Sequence, residues 1–175
     1  MTLIVEDGTG LATAESYVAV ADVTTYVGKL YASTHAANVA WSAASTTDKE
    51  IALRVATKQY LDVRYAFSGV RANQTQALAW PRSGAEDRDG YCFEDDDLPQ
   101  RLKDALCELA LRYIQGDTLA PDIEGTAAIE AKSITIGPIE VSKEYAGSVS
   151  PFKVYSSVDG LLAPLCVPGG YVGRS

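Results

Sequence analysis

A mainly α-helical fold carrying a single β-hairpin is what the sequence predicts, and three observations carry that prediction. Apolar residues recur at three- and four-residue steps from Val20 to Leu30, a spacing that lines up on one face of a helix. The same period fills two longer segments, about 48–65 and about 97–116, each opened by a cap signature and followed by a glycine. The period then drops to two in "KSITIGPIEVSK", the alternation of a strand with one covered face.

Taken in order, "LIVEDGTG" reads as a short strand or extended arm ending in a glycine turn. "SYVAVADVTTYVGKLY" begins β-like at Tyr17 and Val18 and then becomes the first helix, with Val20, Val23, Tyr26, Val27 and Leu30 on one face. Gly28 weakens it by about 1 kcal/mol relative to alanine. "ASTHAANVAWSAAS" reads as a small loop. Thr47 and Glu50 then form a capping box, with Asp48 at the positive end of a second helix running from Asp48 to about Tyr65. Its apolar stripe is Ala52, Val55, Ala56, Tyr60 and Val63, with Lys49, Arg54, Lys58 and Asp62 on the other faces.

The third helix has Asp97 as N-cap, Pro99 in its first turn and Gly116 as its stop. Leu102, Ala105, Leu106, Leu109, Ala110, Tyr113 and Ile114 face inward, against a narrow polar stripe of Arg101, Asp104, Glu108 and Arg112. A helix so widely apolar is expected at the centre of the fold. Trp80, Leu102, Leu106, Leu109 and Tyr113 are the expected structural core. "GDTLAPDIEG" is a loop. In the hairpin, a two-residue Gly137-Pro138 turn sets Ile136 opposite Ile139 and Ile134 opposite Val141; proline excludes type I′ and allows type II′. A short helix over about 154–165 and a loose tail, "VPGGYVGRS", complete one domain spanning 1–175. Its parts are a helical core over about 20–116, a hairpin over about 131–145 and a flexible tail over 166–175.

The composition narrows the chemistry. Fifteen lysines and arginines face 23 aspartates and glutamates, a net charge of −8, and no basic run exceeds an isolated pair. Sequence-independent nucleic-acid binding draws its affinity from cations that neutralise phosphates, so direct DNA binding is disfavoured. The acids of "MTLIVEDGTG" occupy the place where a signal peptide needs a basic region, and no apolar run approaches the roughly 18 residues of a membrane span. A soluble, intracellular protein is expected. Three widely spaced cysteines, Cys92, Cys107 and Cys166, fit reduced thiols and match no zinc spacing.

Catalysis finds little to use. The single histidine, His35, has no acidic residue within ten positions, and G-x-S-x-G is absent. "DGTG" lacks the remaining elements of a phosphate loop and reads as a turn. In "AEDRDGYCFEDDD", Asp87, Asp89 and Gly90 match positions three, five and six of a calcium loop. Ala85 stands where the first carboxylate belongs, and Asp96, at position twelve, is shorter than the usual glutamate. The expectation is no enzyme, no cofactor and no metal. Trp80-Pro81-Arg82 reads either as a stacking platform for bases or as a joint in which Trp80 packs, Pro81 turns the chain and Arg82 is left for a partner contact.

"VEDGTGLATAESYVAVADVTTYV", "ALAWPRSGAEDRDGY", "LPQRLKDALCELALR", "IGPIEVSKEY" and "VDGLLAPL", in that order, resemble one bacteriophage family along nearly the whole chain. That family is often labelled "DnaT-like single-stranded-DNA-binding" and is similar to the head–tail connectors, or adaptors, of tailed phages. One departure is Ala19, where the family tends to have serine or a similar cap. The resemblance implies a structural virion protein at the head–tail neck, made in the host cytoplasm. It implies a ring of about a dozen copies below the portal. Its partners would be other copies, the portal protein and a tail or head-closure (stopper) protein. Genomic double-stranded DNA would pass through without specific binding, and no membrane is involved. The alternative is a DnaT-like replication protein that binds single-stranded DNA. On the connector reading, Arg82, Lys132, Ile134, Ile136, Ile139, Val141, Lys143, Pro164 and Tyr171 form the assembly interface, and the tail from Pro164 onward orders only on a neighbour.

Overall fold

The computed structural model describes residues 2–120, 131–136, 139–144 and 153–171, with 131–136, 139–144 and 168–171 described as backbone. The fold is mainly α, as expected. In chain order the elements are α1 (Val20–Leu30), α2 (Ala36–Ala43), α3 (Thr46–Val55), a π-helical turn (Ala56–Leu61), α4 (Asp62–Arg64), β1 (Tyr65–Phe67), β2 (Val70–Arg71) and β3 (Arg82–Ser83). There follow α5 (Gln100–Ile114), β4 (Ala131–Ile136), β5 (Ile139–Glu144), α6 (Ser156–Leu162), a 3-10 turn (Ala163–Leu165) and β6 (Cys166–Tyr171). The strands form three separate antiparallel pairs: β1 with β6, β2 with β3 and β4 with β5.

The N-terminal arm is extended and meets the residues before α1, with Glu6 N–H donating to the Ser16 carbonyl and Glu15 N–H to that of Ile4, both at 2.8 Å. Alanine at the N-cap of α1 has no side-chain acceptor, so half of a capping box does the work. The Asp22 carboxylate accepts from the Ala19 N–H at 2.8 Å, and the helix starts where its apolar period starts. Val23 and Val27 are buried, whereas Leu30, at the end of the predicted face, is 61% exposed.

The expected loop over 32–45 is a helix. His35 caps α2, its Nδ1 accepting from the Ala37 N–H at 3.2 Å, and its ring lies 4.6 Å from that of Tyr31. Trp41 is thereby buried against α1, donating from Nε1 to Thr24 Oγ1 at 3.0 Å. A lone histidine cap and eight alanine-rich residues give too little periodicity to distinguish such a helix from a loop.

The next helix is capped by Ser45, not by the Thr47/Glu50 box, because Ser45 Oγ accepts from the Asp48 N–H at 3.1 Å and α3 begins at Thr46. Its continuation holds the larger surprise. The π-helical turn inserts extra rotation, so the stripe read with a uniform period slips. Val63 is 47% exposed, while Leu61 and Arg64 are buried and Asp62 points inward.

α5 starts at Gln100 with Pro99 as its N-cap, in place of Asp97, and ends before Gly116, whose φ of +96° lets the chain reverse. It packs against α1, α2, α3, the π turn and α6. Leu102, Ala105, Leu106, Leu109 and Ala110 are fully buried, and Trp80 is buried with them; Tyr113 is only partly buried, against the core's edge. Glu108 is not on a solvated stripe either. It is buried, accepting from the Tyr26 hydroxyl at 2.8 Å and the Tyr31 hydroxyl at 2.6 Å. Two phenolic donors make a buried carboxylate tolerable there. Burial and the carboxylate together push the Tyr31 phenol up to about 12 and raise that of Tyr26 further.

The β4–β5 hairpin has the expected register: Lys132 opposite Lys143, Ile134 opposite Val141 and Ile136 opposite Ile139. The Gly137-Pro138 turn lies outside the described residues, as do the hairpin's side-chain contacts. α6 and the 3-10 turn occupy the predicted final helix. The tail expected to be loose from residue 166 returns as β6, with Tyr171 opposite Tyr65 and Cys166 opposite Phe67. Pro164 is half-buried in the 3-10 turn and Leu165 is buried, so the segment expected to order on a neighbour lies against its own domain here. Residues 172–175 lie outside the described residues.

Candidate functional site

The Trp80-Pro81-Arg82 segment is a joint. Trp80 is fully buried, with Phe67 and Phe93 edge-on at centroid distances of 5.9 and 5.6 Å. Neither ring face is open to a base, so the stacking-platform reading is excluded at this residue. The Trp80–Pro81 peptide is cis. The backbone before it is latched to two distant segments. Trp80 N–H donates to the Tyr17 hydroxyl oxygen (3.2 Å), Tyr17 donates to Asp62 Oδ1 (2.6 Å), and Ala79 N–H donates to Asp62 Oδ2 (3.1 Å). Burial raises the Asp62 carboxyl to about 6, against the opposing pull of these hydrogen bonds and of Arg71 and Arg82. Buried Gln76 adds Nε2 donations to the Leu78 and Pro81 carbonyls at 2.8 and 3.1 Å.

Arg82 is turned inward, which corrects its assignment to a partner contact. Nε donates to the Ser68 carbonyl at 2.6 Å, Nη1 to Ala79 at 3.0 Å, and Nη2 to Gly69 and Phe67 at 2.7 and 3.3 Å. The guanidinium thus staples the β1–β2 turn to the joint. At that turn Gly69 has φ +68°, and a Cβ would sit 2.6 Å from both Ser83 O and Ala85 N, so only glycine fits.

The remaining motifs resolve in the same way, into self-satisfied turns. In the "DGTG" turn the buried Glu6 carboxylate accepts from Gly8, Gly10 and Leu11 N–H groups at 3.1, 2.8 and 2.9 Å. The chain's own carboxylate fills the nest that a phosphate would need. In the acidic loop, Asp87 Oδ1 accepts from the Asp89 and Tyr91 N–H groups, both at 2.9 Å, while Ala85 is buried. Asp87 is committed to the turn, and among the described residues no group of three acidic, histidine or cysteine side chains is gathered for a metal. Tyr91 stands 75% exposed at the tip.

Several cations are engaged with their own chain. Arg64 is buried, 3.3 Å from Asp159 and lying over the rings of Tyr60 and Tyr65. Arg54 meets Glu15 at 2.9 Å and Glu50 at 3.5 Å; Lys153 meets Asp117 at 2.6 Å; Arg112 lies over Tyr155. Of the expected interface set, Lys132, Ile134, Ile136, Ile139, Val141 and Lys143 come together on the hairpin, while Pro164 and Tyr171 belong to the domain's own closing segment. Sequence reasoning missed Tyr17, Asp62 and Glu108 as organising residues. The tyrosine-rich segments around them were the available signal, since a buried phenol requires a partner. No described helix is long and apolar enough to cross a membrane.

No curated protein and no solved structure matches the chain. A family match covers residues 1–174, and the chain belongs to the family described as "Putative DnaT-like ssDNA binding protein".

Proposed function

We propose that the chain is a structural connector of a tailed-phage particle, assembling into a ring below the portal through which the genome passes. The observation that carries this reading is the β4–β5 hairpin. Among the described residues it pairs with no third strand, and its register gathers Ile134, Val141, Ile136 and Ile139. A lone two-stranded hairpin is marginal in water, so an apolar one is best accounted for by a covering partner. The net charge of −8 supports the same reading, because a wall that does not hold phosphates lets a duplex slide.

The family's description favours a second reading, in which the chain binds single-stranded DNA. That reading needs a cationic track with stacking aromatics. Trp80 is closed, and Arg54, Arg64, Arg82 and Lys153 are engaged with their own chain. Two measurements separate the readings. A connector appears in purified virions by mass spectrometry and leaves the anisotropy of a labelled oligonucleotide unchanged at physiological salt. A replication protein is absent from virions and binds with a steep salt slope.

A further inference from the structure

We infer that Asp62 is a proton-operated latch between the N-terminal arm and the Trp80-Pro81-Arg82 joint, closed with its carboxyl neutral and opened locally by ionisation. The latch works within one copy, so it is independent of both functional readings. The π-helical turn (Ala56–Leu61) ends directly before Asp62 and turns its carboxyl inward, although the residue as a whole is half-buried. Oδ1 accepts from the Tyr17 hydroxyl and Oδ2 from the Ala79 N–H, while the Tyr17 oxygen accepts from the Trp80 N–H. Three segments distant in sequence thus close on one acid. Among the described residues neither amide has a second acceptor, so both depend on Asp62, Ala79 directly and Trp80 through Tyr17.

The groups facing Asp62 explain why charge opens the latch. From the segment before α1 comes Tyr17; burial first, and then the Asp62 charge, raise its phenol well above the ordinary value, so it stays a donor. From β2 and β3 come Arg71 and Arg82, directly opposite each other in that pair. Arg82 gives its donors to four carbonyls, and among the described residues neither arginine forms an ion pair with Asp62. An inward carboxylate lacking a cation in contact gains from any opening that admits water. Burial holds the carboxyl at about 6, above its ordinary 3.8. The closed form is therefore favoured with the proton on. That preference is complete below about pH 4 and is lost as pH rises through about 6.

Amide hydrogen exchange of the full chain, read by NMR from about pH 4 to about pH 7 and corrected for intrinsic rates, tests this. In wild type the protection of the Ala79 and Trp80 amides falls about fiftyfold over that range, with most of the fall complete by about pH 6. At every pH it is lower than that of Leu106 and Leu109 in α5, because the opening is local. Asp62→Asn, which cannot ionise, gives protection that is flat with pH. Arg71→Gln removes a facing cation at an exposed position, and so moves the end of the fall to higher pH. Far-UV circular dichroism checks the fold of each variant, and Arg71→Gln carries the test if Asp62→Asn does not fold. His35 is present in every chain compared, so its own titration cancels. Flat protection in wild type overturns the latch, as does the same fall in Asp62→Asn or an unmoved fall in Arg71→Gln. Ala79 and Trp80 amides as protected as those of α5 also overturn it, because the joint then opens only with the whole fold.

Discussion

Asp62 sits between the Tyr17 hydroxyl and the Ala79 amide, and its raised carboxyl gives the fold a pH signature. Because the folded-state value, about 6, lies above the ordinary 3.8, the folded form is favoured with the proton on. That contribution is complete below about pH 4 and is lost as pH rises through about 6, a change of about 2–3 kcal/mol. Urea denaturation at steps from pH 4 to 7 should show wild type losing stability relative to Asp62→Asn by that amount; a constant difference would remove Asp62 from the account. Arg82 makes an opposite point, being polar and partly exposed yet structural. With four carbonyls depending on it, Arg82→Ala should cost about 2–4 kcal/mol in chemical denaturation, and Arg82→Lys should recover only part of that. A loss within 0.5 kcal/mol of zero, roughly the level of a surface substitution, would contradict the staple.

At the scale of elements, legibility followed periodicity. α1 and α5 were readable because their apolar spacing is regular and their ends carry glycine, proline or an acidic first turn. α3 was readable only up to Val55, since a π-helical turn has no composition of its own and shifts every later residue around the axis. That is why Val63 was expected inside and Asp62 on another face, whereas Val63 is 47% exposed and Asp62 is turned inward. α2 was missed because what anchors it is the tertiary burial of one indole, Trp41, and not a helical period in its eight residues. Trp41→Ala should therefore lower stability by about 3–5 kcal/mol, measured by thermal or urea unfolding, and should reduce helicity beyond one residue's share. β6 was missed because "VPGGYV" reads locally as turn and tail; its pairing with β1 is a long-range contact that no local signal encodes. Truncation after Leu165 should lower stability by about 1–3 kcal/mol through the loss of that ladder, and an unchanged melting temperature would show that the strand contributes nothing.

For the molecule as a whole, the site proved less legible than the fold. The hairpin's register could be read from alternation and the position of Gly137-Pro138, and the expected interface residues Lys132, Ile134, Ile136, Ile139, Val141 and Lys143 lie on its two paired strands. At Arg82 the structure corrects the expectation, because the guanidinium is used by the chain's own turn, while Pro164 and Tyr171 lie in the closing 3-10 turn and β6. Charge was legible in full, because counting acids and bases requires no contacts, yet the count alone could not say that Arg54, Arg64 and Lys153 are already paired. A protein of net charge −8, with these three cations already paired, should give no detectable binding to a poly-dT oligonucleotide at about 150 mM salt, well within the range where non-specific binders still bind at roughly 10⁻⁴–10⁻⁶ M. The central claim is tested most directly by electron microscopy of the neck of a virion that carries this protein. The account predicts a ring of this helical fold directly below the portal, each hairpin seated on the neighbouring copy. A neck built without this chain would contradict it.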